Sequence, residues 1–256
     1  MSVGGNTSCV EVRTEERLVI FDAGTGLRIL GEQLLAETPI RAVLFFSHVH
    51  WDHIQGFPFF QPAFVAGNHF DLYGGRDLTA TLAETLAGQM NFPNFPVTLE
   101  QMGATMIFHE FSNGQLINLG GGVSVRALSL NHPNGCYGYR VECGGKVVAY
   151  CTDTEHGNGL NANVVALAAD SDLFIYDAQY TPEEYAGKAG GFPRIGWGHS
   201  TFEKGAELAH ATRAKRLILF HHDPAHDDAA ILEIERRCRA LFPAAEAARE
   251  GLACDL

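Results

Sequence analysis

Ser47-His48-Val49-His50-Trp51-Asp52-His53 directly follows the apolar run Ala42-Val43-Leu44-Phe45-Phe46, and its reading decides the fold. Three imidazoles and one carboxylate fall within positions 48–53. If the apolar run is a buried strand, His48 and His50 leave its end on the same side, at the two-residue period of extended chain. Asp52 and His53 follow at the turn into the next segment. They are too close in sequence to share one metal with the first pair and better placed to serve a second ion nearby. Imidazole nitrogens and carboxylate oxygens suit zinc, and also manganese or iron. A single histidine is usually an ordinary surface or core residue. Burying this cluster without a metal would leave several polar groups needing partners at once.

The rest of a two-metal site should again lie just past strand-like runs. His132 follows Val123–Leu130, whose alternation reads as a half-buried strand. Asp153 follows Lys146–Cys151, and His221 follows Arg216–Phe220. Rigid strand ends can aim ligands from distant parts of a chain at a common point. A carboxylate such as Asp153 can bridge two cations with its two oxygens, holding them about 3.5–4 Å apart as two-metal hydrolases require.

With these motifs in place the chain resembles the metallo-β-lactamase-fold hydrolase superfamily, and within it the ribonuclease Z-like and cyclic-nucleotide phosphodiesterase branch. The resemblance rests on His-x-His-x-Asp-His at 48–53, His132, Asp153 in Cys-Thr-Asp-Thr, Gly198-His199-Ser200-Thr201, and His221 in Leu-Phe-His-His-Asp-Pro. Phe21-Asp22-Ala23-Gly24-Thr25-Gly26 resembles the superfamily's early Asp-x-Gly motif, in which the aspartate supports the site from behind the ligands. The resemblance implies one metal held by His48, His50 and His132 and another by Asp52, His53 and His221, with Asp153 bridging. It also implies that His199 contacts the phosphate or protonates the leaving oxygen. A plain helix-start role is the alternative for this stretch, because Ser200 or Thr201 could cap a helix beginning near Phe202. His222 adjoins His221 but points elsewhere. Asp177, at the end of Leu173–Tyr176, reads either as a supporting partner or as an ordinary loop carboxylate. His69, His109, His156, His210 and His226 read as surface or core residues.

The chemistry implied is hydrolysis of a phosphodiester. Two divalent ions, zinc first and manganese or iron as alternatives, lower the pKa of a bridging water and accept a phosphate oxygen as Lewis acids. Asp52 and Asp153 would orient the nucleophile, and His199 would supply a proton to the departing oxygen. The formal charge of −12 and the lack of a Lys/Arg-rich run count against a bulk-electrostatic nucleic-acid binder. Between Asp153 and His199 the chain lacks the long basic insertion that ribonuclease Z enzymes use as a tRNA-binding arm. Only Lys188–Arg194 offers a short flexible piece. A small-molecule phosphodiester, above all a cyclic nucleotide, is therefore the expected substrate. RNA processing is the alternative, with thioester or lactam hydrolysis on the same fold behind it. The aromatic stretch from Gln89 to Thr105 could wall a base or simply pack as a surface loop.

The chain has 256 residues, 46% of them hydrophobic, and 28 glycines, which fits one globular α/β domain spanning 1–256. Six cysteines without Cys-x-x-Cys spacing read as reduced thiols. No signal-peptide pattern or membrane-length apolar run is found, so a cytoplasmic protein is expected. Strand-like segments at about 8–13, 17–22, 42–46, 70–73, 123–130, 137–143, 146–152, 172–177 and 216–220 alternate with helical patterns near 26–36, 77–88, 161–169, 202–213 and 227–241. The resemblance implies an αββα sandwich with metals at one edge. Members of the resembled branch usually carry an extra strand before Gly4-Gly5-Asn6-Thr7, so the expectation is either a first sheet that lacks an edge strand or an edge covered by a neighbouring subunit in a homodimer.

Overall fold

In the computed structural model the strand-like runs of the sequence form two sheets, and His48, His132, Asp153 and His221 lie just beyond strand ends. The structure describes residues 3–76, 80–188 and 191–256. The α/β class read from the sequence is the class observed. Two compact units divide the chain, one formed by Asn6–Asn113 and the other by Met1–Gly5 with Gly114–Leu256.

The Asn6–Asn113 unit holds a five-stranded sheet of β1 (Val10–Arg13), β2 (Leu18–Phe21), β3 (Arg41–Phe45), β4 (His69–Gly75) and β5 (Thr105–Phe111), in that spatial order. β1 pairs antiparallel with β2, and β2 through β5 run parallel. All four residues of β2 are buried, as expected of a parallel strand covered on both faces. The helix α1 (Gly26–Leu34) buries Leu27, Gly31 and Leu34 along one stripe. Gly31 is required there because a Cβ would stand 2.9 Å from the Phe60 ring. A one-turn helix α2 (Trp51–Ile54) carries Asp52 and His53, and α3 (Leu82–Gln89) starts at a Thr81–Glu84 capping box. The expected helix at 77–88 thus begins later, at Leu82, while residues 77–79 lie outside the described ones.

The other unit holds seven strands in the order β12-β11-β10-β9-β8-β7-β6: β6 (Leu116–Gly120), β7 (Val123–Leu130), β8 (Cys136–Cys143), β9 (Lys146–Cys151), β10 (Leu173–Asp177), β11 (Leu217–Phe220) and β12 (Ala245–Ala247). β6 to β9 form an antiparallel meander, and β9 to β12 run parallel. Two antiparallel steps make β7 point the same way as β9. The carboxyl ends of β7, β9, β10 and β11 therefore share one edge, the edge at which open α/β sheets place ligands. Helices α4 (Ala162–Ala168), α5 (Pro182–Tyr185), α6 (Phe202–Thr212) and α7 (Asp228–Leu241) complete the unit. Phe202, Ala206 and Ala209 of α6 pack with Leu217 and Leu219 of β11 and with Ile234 and Cys238 of α7. Each of the large side chains among them, Phe202, Leu217, Leu219 and Ile234, contributes about 1.5–3 kcal/mol through its burial.

The strands β5, β6 and β12 and the short helices α2 and α5 were not anticipated by the sequence reading. The proposed flexible piece 188–194 includes residues 189 and 190, which lie outside the described ones. Among the described residues no helix is long and apolar enough to cross a membrane.

Candidate active site

The Asn6–Asn113 unit builds its part from the ends of β2 and β3. Asp22 follows β2 and Ser47 and His48 follow β3, and the amide of Asp22 donates to the carbonyl of Phe45 at 2.8 Å. The Asp22 carboxylate, 1% exposed, accepts from the Ser47 amide at 2.7 Å and the Ser47 hydroxyl at 2.8 Å, and lies 2.9 Å from His53 Nδ1. An ionised carboxylate can only accept, so the His53 proton resides on Nδ1 and Nε2 is left as its ligand atom. The Ser47 hydroxyl spends its hydrogen on Asp22. It therefore accepts from His48 Nδ1 at 3.1 Å, which leaves His48 Nε2 bare as well.

That bare nitrogen meets His50 Nδ1 at 2.9 Å, and the two rings stand edge to face. Asp52 Oδ2 lies 3.3 Å from His53 Nε2. His48 with His50, and Asp52 with His53, are thus brought together as two donor pairs. A tetrahedral zinc with nitrogen ligands at about 2.0–2.1 Å holds neighbouring nitrogens a little over 3 Å apart, close to the His48–His50 spacing.

In the other unit His132, Asp153, His199 and His221 come together at the shared strand edge. Asp153 is 1% exposed and turns its oxygens toward different imidazoles: Oδ1 lies 3.3 Å from His221 Nε2 and Oδ2 lies 3.8 Å from His132 Nε2. His132 Nδ1 donates to the Gly198 carbonyl at 2.9 Å, which places the neutral ring's proton on Nδ1 and turns Nε2 toward Asp153. Asp153 and His221, like Asp22, are non-glycine residues at positive φ, 51°, 60° and 62°. Such backbone costs about 1–3 kcal/mol per residue and persists where surrounding structure enforces it, commonly at functional sites.

His199 Nδ1 lies 2.8 Å from Asp177 Oδ2, and its ring stacks on His221 with centroids 4.9 Å apart. Asp177, fully buried, also accepts from the amides of Thr154, Gln179 and Ser200, each at 3.1 Å. Three backbone amides and the His199 ring thus converge on one fully buried carboxylate and supply it with partners away from water. Asp153, Asp177, His199 and His221 together form one group of metal-capable side chains. The helix-start alternative for this stretch holds as well, at Thr201 of the two residues named: Thr201 caps α6, accepting from the Lys204 amide at 3.3 Å. His222 Nε2 bonds the Ala248 carbonyl at 3.1 Å, away from Asp153, and burial pushes its imidazole below the ordinary value.

A family model described as the β-lactamase superfamily domain matches residues 17–222. The chain belongs to this superfamily. Among curated relatives, ribonuclease BN of Cronobacter sakazakii is 26% identical over 291 aligned positions, covering 92% of this chain and 88% of that protein. Of solved structures, the metallo-β-lactamase-fold protein YhfI from Bacillus subtilis matches with a TM-score of 0.70 at 18% identity, over 97% of this chain and 92% of its own. A diphosphatase of the PhnP family matches with a TM-score of 0.68 at 21% identity, over 98% and 84%. The protein is accordingly a metal-dependent hydrolase of the metallo-β-lactamase fold.

The donor set fits the divalent cations that this superfamily binds. It consists of imidazole nitrogens and carboxylate oxygens, with the far ring nitrogens of His48, His53 and His132 each tied to a hydrogen-bond partner. Several contributors escaped sequence reasoning. Ser47 was quoted without a role. Glu155 went unmentioned, although burial, which pushes its carboxyl up, is overcome by the Gly196 amide, the Tyr185 hydroxyl, the Gly198 amide and His156, which hold it below the carboxylate range. His156, read as a surface or core residue, has Nδ1 2.9 Å from the Ser200 hydroxyl. The only signal for the last two was their place directly after Asp153-Thr154.

Proposed function

We propose that the protein is a dinuclear metal-dependent phosphodiesterase that hydrolyses a small phosphodiester, a cyclic nucleotide before any other. His48, His50 and His132 would hold one ion and Asp52, His53 and His221 the other, with Asp153 shared, in the division the family resemblance implies. When bound, two such cations supply Lewis acidity toward a phosphoryl oxygen and acidify a bound water. Zinc is the first candidate, with manganese or iron as alternatives.

The observation that carries the reading is the Asp177–His199 pair. With Nδ1 turned to Asp177, the proton that His199 can deliver sits on Nε2, on the opposite side of the ring. A phosphodiester with an alkoxide leaving group needs such a donor, because the alkoxide is too basic to leave unaided. The buried carboxylate keeps the ring oriented with Nε2 available for proton delivery. Asp52 and Asp153 orient the attacking oxygen. The charge of −12 favours a small substrate over a polyanion, and six free cysteines suit a reducing, cytoplasmic setting.

A ribonuclease Z-like activity is the second reading, favoured by the ribonuclease BN relative. Hydrolysis of a panel of 3′,5′- and 2′,3′-cyclic nucleotides by zinc- or manganese-loaded protein tests the first, with Asp52→Ala as the blank and a short RNA alongside. Cyclic-nucleotide turnover absent from the blank supports it. Cleavage of RNA alone replaces it with the second, and inactivity on both removes the phosphodiester assignment.

A further inference from the structure

The segment directly after Asp153 reaches across to the turn that carries His199. Glu155 Oε1 accepts from the Gly196 amide at 2.8 Å and from the Tyr185 hydroxyl at 2.6 Å, and its Oε2 accepts from the Gly198 amide at 3.1 Å. One carboxylate, 8% exposed, thus grips both ends of Gly196-Trp197-Gly198. The Glu155 backbone is anchored in turn to Asn131, the neighbour of His132. Its amide donates to the Asn131 carbonyl at 2.8 Å, and its carbonyl accepts from Asn131 Nδ2 at 3.0 Å.

What the turn presents is decisive for two site residues. The Gly198 carbonyl receives the His132 Nδ1 proton, and His199 is the next residue in the chain. Gly198 sits at φ 89°, and a Cβ there would collide with the His132 ring, so turn and imidazole are in direct contact. A glycine-flanked turn held by its own backbone would be free to drift. Two charge-assisted hydrogen bonds from the turn to one buried carboxylate, itself held by the Tyr185 hydroxyl, remove that freedom.

We propose that Glu155 is a positioning residue that holds the Gly196–Gly198 turn so that the Gly198 carbonyl fixes the tautomer and aim of His132 while His199 stays on Asp177. The inference rests on reading His132 and His199 as site residues, but its first readout requires neither metal nor substrate. Glutamine keeps the shape of Glu155 but replaces one acceptor oxygen with an NH2 group, which cannot accept from a backbone amide. Alanine removes all three bonds.

The test uses the full chain. Imidazole nitrogen resonances of the metal-free protein, assigned with His132→Ala, should show His132 protonated at Nδ1 in the parent. Its tautomers should be mixed in Glu155→Ala and less so in Glu155→Gln. Zinc affinity by chelator competition should fall about 10–100-fold in Glu155→Ala, the loss usual for residues that orient metal ligands, with a smaller loss in Glu155→Gln. If Glu155→Ala fails to fold, Glu155→Gln carries the test. An unchanged His132 tautomer in a folded variant overturns the proposal. If His132→Ala itself leaves zinc affinity untouched, the metal reading of His132 fails, and the tautomer measurement still decides the role of Glu155.

Discussion

His199, partly exposed, and Asp177, fully enclosed, form a dyad with Nδ1 2.8 Å from Oδ2. Removing the imidazole should therefore hurt substrates in proportion to the basicity of their leaving group. In His199→Ala, turnover of a cyclic nucleotide should drop by about 10²–10⁴-fold, the usual contribution of general acid catalysis. Turnover of bis(p-nitrophenyl) phosphate, whose leaving group departs without a proton, should fall far less. Asp177→Asn should follow the same pattern more weakly. Equal losses on both substrates would remove the acid role.

Asp22 contacts the Nδ1 side of both His48 and His53 from one buried position, directly on His53 and through the Ser47 hydroxyl on His48. Asp22→Asn presents an amide NH2 where an acceptor is needed and should lower zinc affinity by about 10–100-fold. Ser47→Ala should lower it less, since only the His48 link is cut. Chelator competition reads both. Parent-like affinity in Asp22→Asn would show that the tautomers are set by other groups.

Much of this arrangement was legible in the sequence, for physical reasons that can be named. Short apolar runs such as Ala42–Phe46 and Val147–Cys151, rich in β-branched and aromatic residues, suit buried strands, and the polar residue after each run then sits at a strand end. That logic placed His48, His132, Asp153 and His221 beyond their strands without any knowledge of pairing. It failed at β5, where the Thr105–Phe111 sequence Thr-Met-Ile-Phe-His-Glu-Phe lacks strict alternation, and at β12, whose three residues are too short to carry a period. It also failed for Glu155, because a carboxylate that binds backbone amides forty residues away leaves no local pattern. Asp177 was undecided between two readings. Only the three-dimensional placement of its four donors distinguishes it from an ordinary loop carboxylate.

Gly198 has two independent reasons to be glycine: φ of 89° and direct contact between the position of a Cβ and the His132 ring. Gly198→Ala should lower stability by about 1–3 kcal/mol through backbone strain, seen as a lower denaturant midpoint. It should also weaken zinc binding, because the ring must move to make room. A variant as stable as the parent would mean that the turn relaxes without strain.

A cation that binds the folded chain and not the unfolded one raises stability by mass action. Dialysis against a chelator should lower the melting temperature by several degrees, and zinc should restore it in a concentration-dependent way. The same shift should be much reduced in Asp153→Ala, whose carboxylate faces both His132 and His221. A melting temperature indifferent to chelator and zinc would count against metal binding by the native protein.

His156 supplies a prediction about acid stability. Burial, and then the charge of Lys204, lower its pKa from the ordinary 6.5, while its Nδ1 bonds the Ser200 hydroxyl and its ring packs on Tyr185. A histidine whose folded pKa is depressed takes up its proton more readily when unfolded. Its neutral form therefore contributes stability that is fully present above pH 6.5 and is lost as the pH falls through the depressed folded value. The parent should thus lose stability on acidification from about pH 7 toward pH 5 more steeply than His156→Gln, in which an uncharged side chain can still bond Ser200. Denaturant midpoints across that range, taken on metal-free protein so that ligand protonation by competing metal does not enter, measure the difference. Parallel curves for the two proteins would show that His156 does not titrate differently in the folded and unfolded states.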